Sequence, residues 1–129
     1  NINNVGILGT KGTIETNLYG SVVEREGLVA INPDDEILDS VHRAIYDLDY
    51  GIKAQSNPVS DKAREDVRIA IKHLQNLGAQ GIILGCTELP LALEGRRIGE
   101  TFLFDPTMIL ARALIENISP QKLKAYKMP

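Results

Sequence analysis

The chain has 129 residues, of which 43% are hydrophobic and 24% are charged, and its net charge at pH 7 is −3. This length and composition suit one globular domain with its own core, and the negative charge argues against a general nucleic-acid surface. The sequence shows no long apolar run and no signal peptide, and its single cysteine excludes an internal disulfide and favours a cytoplasmic protein.

The first half of the chain predicts two strands, each followed by a helix. A strand over residues 5–10 ends in the turn 11–13 and leads to a helix near residues 14–26. After a short strand at 28–31, capping and acidic residues at 32–36 begin a second helix. Helical spacing predicts one apolar stripe on that helix, formed by Ile37, Leu38, Val41, Ala44, Ile45 and Leu48.

The second half predicts two more strand and helix units. A helix runs from residue 60 to 77, and the apolar strand 81–85 follows it. A charged loop spans 92–101, a last short strand spans 102–104, and Pro106 opens the final helix because proline is accepted in a first turn. The two helices have apolar sides, formed by Ala63, Val67, Ala70, Ile71, Leu74 and Leu77 and by Met108, Ile109, Ala111, Ala113, Leu114 and Ile115.

This alternation of strands and helices predicts the fold class. Four strands in alternation with four helices indicate an α/β fold, a three-layer αβα sandwich with a mainly parallel four-stranded sheet. We expect one domain over residues 1–118 and a C-terminal tail over 119–129.

The strand 81–85 leads directly to the only cysteine. Cys86 follows Gly85, the polar pair Thr87 and Glu88 comes next, and Pro90 prevents the strand from continuing. Ligands of parallel sheets bind at the carboxyl ends of the strands, and thiols near helix N-termini have lowered pKa values. Cys86 is therefore the leading candidate for chemistry, although free cysteines are often buried packing residues.

The sequence offers little support for a nucleotide, metal or protease site. The glycines at 6, 9 and 12 do not match the dinucleotide-binding pattern. His42 and His73 lie beside the apolar stripes of their helices, and no His, Cys and Asp cluster has metal-ligand spacing. We therefore expect no metal and no cofactor.

Four segments in order along the chain form a recognisable set: VGILGTKGT at 5–13, YGIKA at 50–54, GCTELPL at 85–91 and FDPTMILA at 104–111. Together they resemble the aspartate/glutamate racemase superfamily in its aspartate racemase branch. Members of that family are about twice as long and consist of two pseudo-symmetric α/β halves. The resemblance therefore implies that this chain is the C-terminal half of such a protein.

The resemblance implies amino-acid racemisation without pyridoxal phosphate. One base removes the α-proton, and an acid on the opposite face returns a proton. Cys86 would be one acid/base, and the missing N-terminal half of the same protein would supply the other. Members of the family often form homodimers, so a homodimer is a further expectation.

The resemblance also implies a substrate site for an acidic amino acid. Thr10 and Thr87 would bind the α-carboxylate, and Lys53 would pair with the side-chain carboxylate, with Lys11 as a second choice. Glu88 occupies the position where glutamate racemases usually carry His, which favours the aspartate type. The expected substrate-binding set is Lys53, Thr10, Thr87, Glu88 and Thr13.

Two alternatives remain open from the sequence. One is another activity of the same superfamily, such as a decarboxylase, an isomerase or a hydantoin racemase. The other is a non-catalytic α/β binding module in which Cys86 is merely packed. Reactivity of the Cys86 thiol separates the second alternative from the enzymes.

Overall fold

The computed structural model describes residues 2–125 and contains one five-stranded sheet in the order β2-β1-β3-β5-β4. All neighbouring strands are parallel except β4, which runs antiparallel to β5. The strands are β1 Asn4–Leu8, β2 Val29–Ile31, β3 Gly81–Leu84, β4 Arg97–Ile98 and β5 Thr101–Phe104. The α/β class and the mainly parallel sheet are confirmed, with one strand more than predicted.

Within the described residues five α-helices connect and follow these strands, and each of the longer ones begins at a side-chain cap. Asp34, Ser60 and Asp105 each accept a hydrogen bond from a backbone N–H of the first helical turn. The helices are α1 Lys11–Glu15, α2 Gly20–Arg25, α3 Asp35–Tyr46, α4 Asp61–Asn76 and α5 Pro106–Ile118. Short 3₁₀ turns lie at Leu89–Ala92 and Pro120–Lys122.

The prediction of one helix over residues 14–26 is wrong, because this segment forms two short helices. α1 ends at Glu15 and α2 begins at Gly20. Between them Asn17 adopts a positive φ of 50°, a left-handed conformation that interrupts a right-handed helix. The break turns the chain and places Tyr19 at the start of α2.

The prediction that 92–101 is a loop is wrong at its centre, where β4 adds an edge strand. Arg97 pairs with Phe102 and Ile98 pairs with Thr101. Glycines with positive φ flank the strand, Gly95 at 77° and Gly99 at 60°. Two residues are too few to show strand periodicity, so the hairpin had no apolar pattern to reveal it.

α3 and α4 pack on each other and cover one face of the sheet. Val41, Ala44 and Ile45 of α3 and Val67 and Ala70 of α4 are fully buried, as the apolar stripes predicted. The rest of this core comes from α4, the loops and the strands and includes Leu8, Ile52, Val59, Ala63, Ile71, Leu74, Ile82, Leu84, Leu89, Ala92 and Leu103. The prediction is wrong at the two outermost stripe positions, Leu48 and Leu77. Both residues lie just beyond their helices and are exposed.

The two faces of the sheet can be told apart at glycines in β1, in β3 and directly after β3. A Cβ at Gly6 would touch Leu74 of α4, whereas a Cβ at Gly81 would touch Phe104 and one at Gly85 would touch Tyr19. Successive strand residues point to opposite faces. α4 therefore covers one face, and the start of α2 lies on the other.

α5 contrasts with the rest of the fold, because none of its thirteen residues is buried. Its predicted apolar side is present but faces outward, with Met108, Ile109, Leu114 and Ile115 exposed. Leu110 and Ile118, which were not part of the predicted side, are exposed as well. The predicted tail 119–129 begins with the 3₁₀ turn Pro120–Lys122, and its residues 126–129 lie outside the described part of the chain. Among residues 2–125, no helix combines the length and the apolar composition that crossing a bilayer requires.

Candidate functional site

Two neighbouring strands end side by side at one edge of the sheet. β1 and β3 are parallel, and Leu8 is in register with Leu84. The N–H of Gly85 donates to the carbonyl of Leu8, the last residue of β1, at 2.6 Å. The pairing of the two chains therefore extends one residue beyond the end of β3. Thr10 and Cys86 each lie two residues beyond this last matched pair, so both leave the sheet at its carboxyl edge.

Cys86 is partly buried at this edge and is hydrogen-bonded to a carboxylate. Its thiol donates to Oε2 of Glu88 at 2.9 Å. Partial burial is the main cause that raises the pKa of the Cys86 thiol, and the hydrogen bond and negative charge of Glu88 raise it further. The nearby ammonium of Lys53 acts in the opposite direction. The thiol form is therefore favoured in this arrangement.

Glu88 connects Cys86 to Lys53. The Nζ atom of Lys53 lies 2.6 Å from Oε1 of Glu88, and the hydroxyl of Thr87 donates to Oε2 at 3.0 Å. The hydrogen bonds from Cys86, Lys53 and Thr87 lower the pKa of Glu88 to about 2, with the thiol as the largest influence. Glu88 in turn raises the pKa of Lys53.

Lys53 reaches this position because the loop after α3 folds back on its own helix. The N–H of Ile52 donates to the carbonyl of Ala44 at 2.8 Å, and the N–H of Lys53 donates to the carbonyl of Ile45 at 3.1 Å. The side chain of Ile52 is fully buried and anchors the turn. Lys53 itself is exposed, so a fixed backbone presents a solvent-accessible ammonium to the carboxyl edge of the sheet.

Thr10 and Thr13 form a pair of hydroxyl groups at the exit of the neighbouring strand, β1. Thr10 caps α1, accepting from the N–H of Thr13 at 3.4 Å, and the two hydroxyl oxygens lie 3.0 Å apart. The structure thus groups the predicted site residues into the Cys86, Thr87, Glu88 and Lys53 cluster after β3 and a threonine pair after β1.

Lys11 and the histidines have other partners. Lys11 pairs with Asp39 of α3 at 2.6 Å and lowers the pKa of that carboxyl. The rings of His42 and Tyr46 are tilted by 37° with centroids 4.9 Å apart, and Nε2 of His73 lies 3.4 Å from Oδ2 of Asp34. Within residues 2–125 no three His, Cys, Asp or Glu side chains converge as a metal site would require.

Tyr46 is the site residue that sequence reasoning missed. Its ring centroid lies 5.4 Å from Nζ of Lys53, a cation–π distance. The only sequence signal is its spacing of four residues from His42 on one helix face. Chemically, the whole arrangement offers a titratable thiol, a carboxylate that accepts its proton in a hydrogen bond, and a cation suited to an anionic ligand.

Sequence comparison connects the chain with racemases. The sequence model of the Asp/Glu/hydantoin racemase family matches residues 1–114. The chain is 31% identical over 121 residues to an uncharacterised protein from the pnlA 3′ region of Pectobacterium carotovorum, covering 90% of this chain and 73% of that protein. It is 33% identical over 97 residues to the glutamate racemase of Geobacter metallireducens, covering 75% of this chain and 32% of that enzyme.

Structural comparison gives the same relationship. A candidate Asp/Glu racemase from Yersinia pestis superimposes with a TM-score of 0.72 at 32% identity over 90% of this chain. An aspartate racemase homologue from Pyrococcus horikoshii superimposes with a TM-score of 0.71 at 34% identity over 90% of this chain. The chain spans 48% of the length of each of these two structures.

Proposed function

The chain belongs to the Asp/Glu/hydantoin racemase family, and we propose that it forms one half of a cofactor-independent amino-acid racemase with Cys86 as one of two acid/base groups. The observation that carries this proposal is the cluster at the exit of β3. There Glu88 joins a thiol, 2.9 Å away, to an exposed ammonium, 2.6 Å away. A group that moves a proton and a group that binds an anion thus lie on opposite sides of one carboxylate.

The proton transfer requires a thiolate. Cys86 Sγ takes the α-proton of the substrate, so that an S–H bond forms and the C–H electron pair stays on the α-carbon. A thiol on the opposite face, or another acid, then donates its own proton to that carbon. Thiols suit both steps because their pKa is close to neutral pH and responds to the surroundings.

The charges of the site favour an acidic amino acid. Lys53 pairs with the side-chain carboxylate, while the hydroxyls of Thr10 and Thr87 bind the α-carboxylate, and Thr13 orients the hydroxyl of Thr10. The names of the relatives agree with this class, since one is a glutamate racemase and one is an aspartate racemase homologue. A charge-assisted contact to Lys53 discriminates against neutral side chains.

We propose that the second acid/base group comes from an N-terminal half of the same protein. The lengths of the structural relatives support this partner, because this chain covers about half of each. The outward apolar side of α5 supports it as well, since exposed apolar patches mark association surfaces. A homodimer and a cytoplasmic location stay predictions from the resemblance and from the single cysteine.

Cys86→Ser in the two-half protein tests the proposed function. A hydroxyl keeps the shape of the thiol but has a pKa far too high for this proton transfer, so racemisation of both aspartate enantiomers should stop. Exchange of the α-proton with deuterium should continue for the enantiomer that faces the other base. Wild-type racemisation by Cys86→Ser, with an unchanged thermal melt, would refute the role of Cys86.

Hydantoin racemisation is the second candidate, because the matching family includes hydantoin racemases. A hydantoin ring carries no free carboxylate on its α-carbon, so the threonines would lack their proposed partner, and a hydantoin with a neutral side chain would leave Lys53 without its partner as well. Parallel assays with aspartate, glutamate and a hydantoin, using wild-type protein and Lys53→Met, separate the two. Hydantoin turnover that is insensitive to Lys53→Met would favour the second candidate.

A further inference from the structure

Glu88 has both carboxylate oxygens occupied by groups that the proposed reaction needs. Oε1 holds the Lys53 ammonium at 2.6 Å, and Oε2 accepts from the Cys86 thiol at 2.9 Å and from the Thr87 hydroxyl at 3.0 Å. We propose that Glu88 is a positioning residue that restrains the site before substrate binds: it holds the Lys53 ammonium that a substrate carboxylate would take, and it keeps Cys86 in its thiol form. This inference rests on the proposed racemase function.

Glu88 and a substrate carboxylate compete for one cation, the ammonium of Lys53. A substrate carboxylate that binds Lys53 must displace Glu88 or share the ammonium with it. The side chain of Glu88 is only 18% exposed, whereas that of Lys53 is 45% exposed. The flexible lysine can therefore turn toward a ligand in solvent, while the carboxylate stays beside the thiol.

The effect of Glu88 on the thiol is electrostatic. While Lys53 is paired with Glu88, the carboxylate is stabilised as an anion and is a very weak base. The same carboxylate accepts a hydrogen bond from the Cys86 thiol and raises the pKa of that thiol, whereas the ammonium of Lys53 lowers it. Glu88 therefore holds Cys86 in its thiol form.

The ionisable neighbours of Cys86 and Lys53 belong to the same cluster. The ionisable groups that act most strongly on Cys86 are Glu88 and Lys53. Those that act most strongly on Lys53 are Glu88, Tyr46 and Cys86. The coupling is therefore carried by four side chains from three segments, the end of α3, the loop at Lys53 and the turn after β3.

Alkylation of Cys86 by iodoacetamide, followed on the Cys86 peptide by mass spectrometry, tests the empty site. Glu88→Gln removes the negative charge but keeps the size, so at pH 7 alkylation should be about tenfold faster, and its pH profile should move to lower pH. Lys53→Met should slow alkylation. The control is Glu100→Gln, which removes an exposed carboxylate paired with Arg97 and should leave the rate within about twofold.

Binding of succinate, a dicarboxylate with no amino group, tests the exchange at Lys53. Glu88→Gln should tighten succinate binding several-fold, and the gain should vanish in the double variant Glu88→Gln with Lys53→Met. If Glu88 instead binds the substrate ammonium, Glu88→Gln weakens aspartate and leaves succinate unchanged. The proposal would be overturned by that result for aspartate and succinate. It would also be overturned by equal alkylation profiles in wild type and Glu88→Gln, or by the absence of succinate binding in both proteins.

Racemisation is measured separately. The proposal expects Glu88→Gln to move the pH profile of kcat to lower pH, because the thiol loses its neighbouring carboxylate. Alkylation needs no turnover, so it reports on the role of Glu88 even if the protein proves not to be a racemase. Failure of the proposed function and failure of this inference are thus distinguished.

Discussion

The ring of Tyr19 lies against Gly85, the residue that precedes the candidate catalytic cysteine. A Cβ added at Gly85 would lie 2.8 Å from Cε2 of Tyr19 and 3.2 Å from the carbonyl oxygen of Leu8. The first distance is too short for two carbon atoms, and the second involves backbone that cannot move freely. Tyr19, at the start of α2, therefore leaves no room for a side chain at the residue before Cys86.

Gly85→Ala should consequently destabilise the protein by about 1–3 kcal/mol, because the new methyl group overpacks this contact. It should also reduce racemisation more than the lost stability explains, since the turn at Cys86 must shift. The matched control is Gly12→Ala in α1, where a Cβ meets nothing within 4 Å. Chemical denaturation should show a change within about 1 kcal/mol for the control.

Val67→Asp tests the packing of α4 on the sheet. Val67 is fully buried, so the substitution places an unpaired carboxylate in the core and should cost about 3–5 kcal/mol in the free energy of unfolding. Ile69→Asp is the control on the same helix, because Ile69 is 46% exposed, and it should cost no more than about 1 kcal/mol. Equal effects of the two variants would contradict the orientation of α4.

The sequence was most informative where periodicity is long. The stripes of α3 and α4 span several turns, and their buried positions follow the predicted spacing. The pattern was extended too far at Leu48, which is 91% exposed. There Asp47 ends the helix with ψ at 134°, and its carboxylate caps the next turn by accepting from the N–H groups of Asp49 and Tyr50. A short-range hydrogen bond overrode the apolar period.

The candidate site shows a similar division. The position of Cys86 at a strand exit followed from the change from apolar to polar residues, because parallel strands place such turns at one edge. The bridge from Lys53 through Glu88 to Cys86 did not follow, since it joins residues 35 positions apart. Such a contact depends on how the loop after α3 folds back, and the amino-acid pattern carries no signal for it.

Lys53→Met should impair acidic substrates selectively. Loss of the ammonium removes the proposed partner of the side-chain carboxylate, so KM for aspartate should rise on the order of tenfold or more, with a smaller change for alanine. Lys62→Met is a closely matched control. Lys62 also pairs with a carboxylate, Asp66 at 2.7 Å, and also lies 5.4 Å from a tyrosine ring. Equal kinetics of wild type and Lys53→Met would remove Lys53 from the site.

Leu114→Glu tests whether α5 contacts the other half of the protein. Leu114 is 54% exposed, so the substitution should barely change the stability of this chain, yet it should weaken association with a separately produced N-terminal half. The control is Leu48→Glu, an exposed leucine outside α5. Analytical ultracentrifugation of the mixed halves measures both variants. Weakened self-association alone would instead assign α5 to a contact between two copies of this chain.

The depressed pKa of Glu88 predicts how stability depends on pH. Its pKa falls from an ordinary value of 4.5 to about 2 in the folded protein, chiefly through the hydrogen bonds from Cys86 and Lys53. A carboxylate of this kind binds fewer protons in the folded state, so its stabilising contribution is complete above about pH 5 and is lost as the pH falls toward 2.

Urea denaturation of wild type and Glu88→Gln between pH 2 and pH 6 measures this contribution. The difference in unfolding free energy between the two proteins should be largest near pH 6 and should shrink steadily below pH 4.5. Glu100→Gln removes a carboxylate whose side chain is fully exposed, and its difference from wild type should vary much less with pH. A pH-independent difference for Glu88→Gln would mean that the contacts to Cys86 and Lys53 do not hold Glu88 in its charged form.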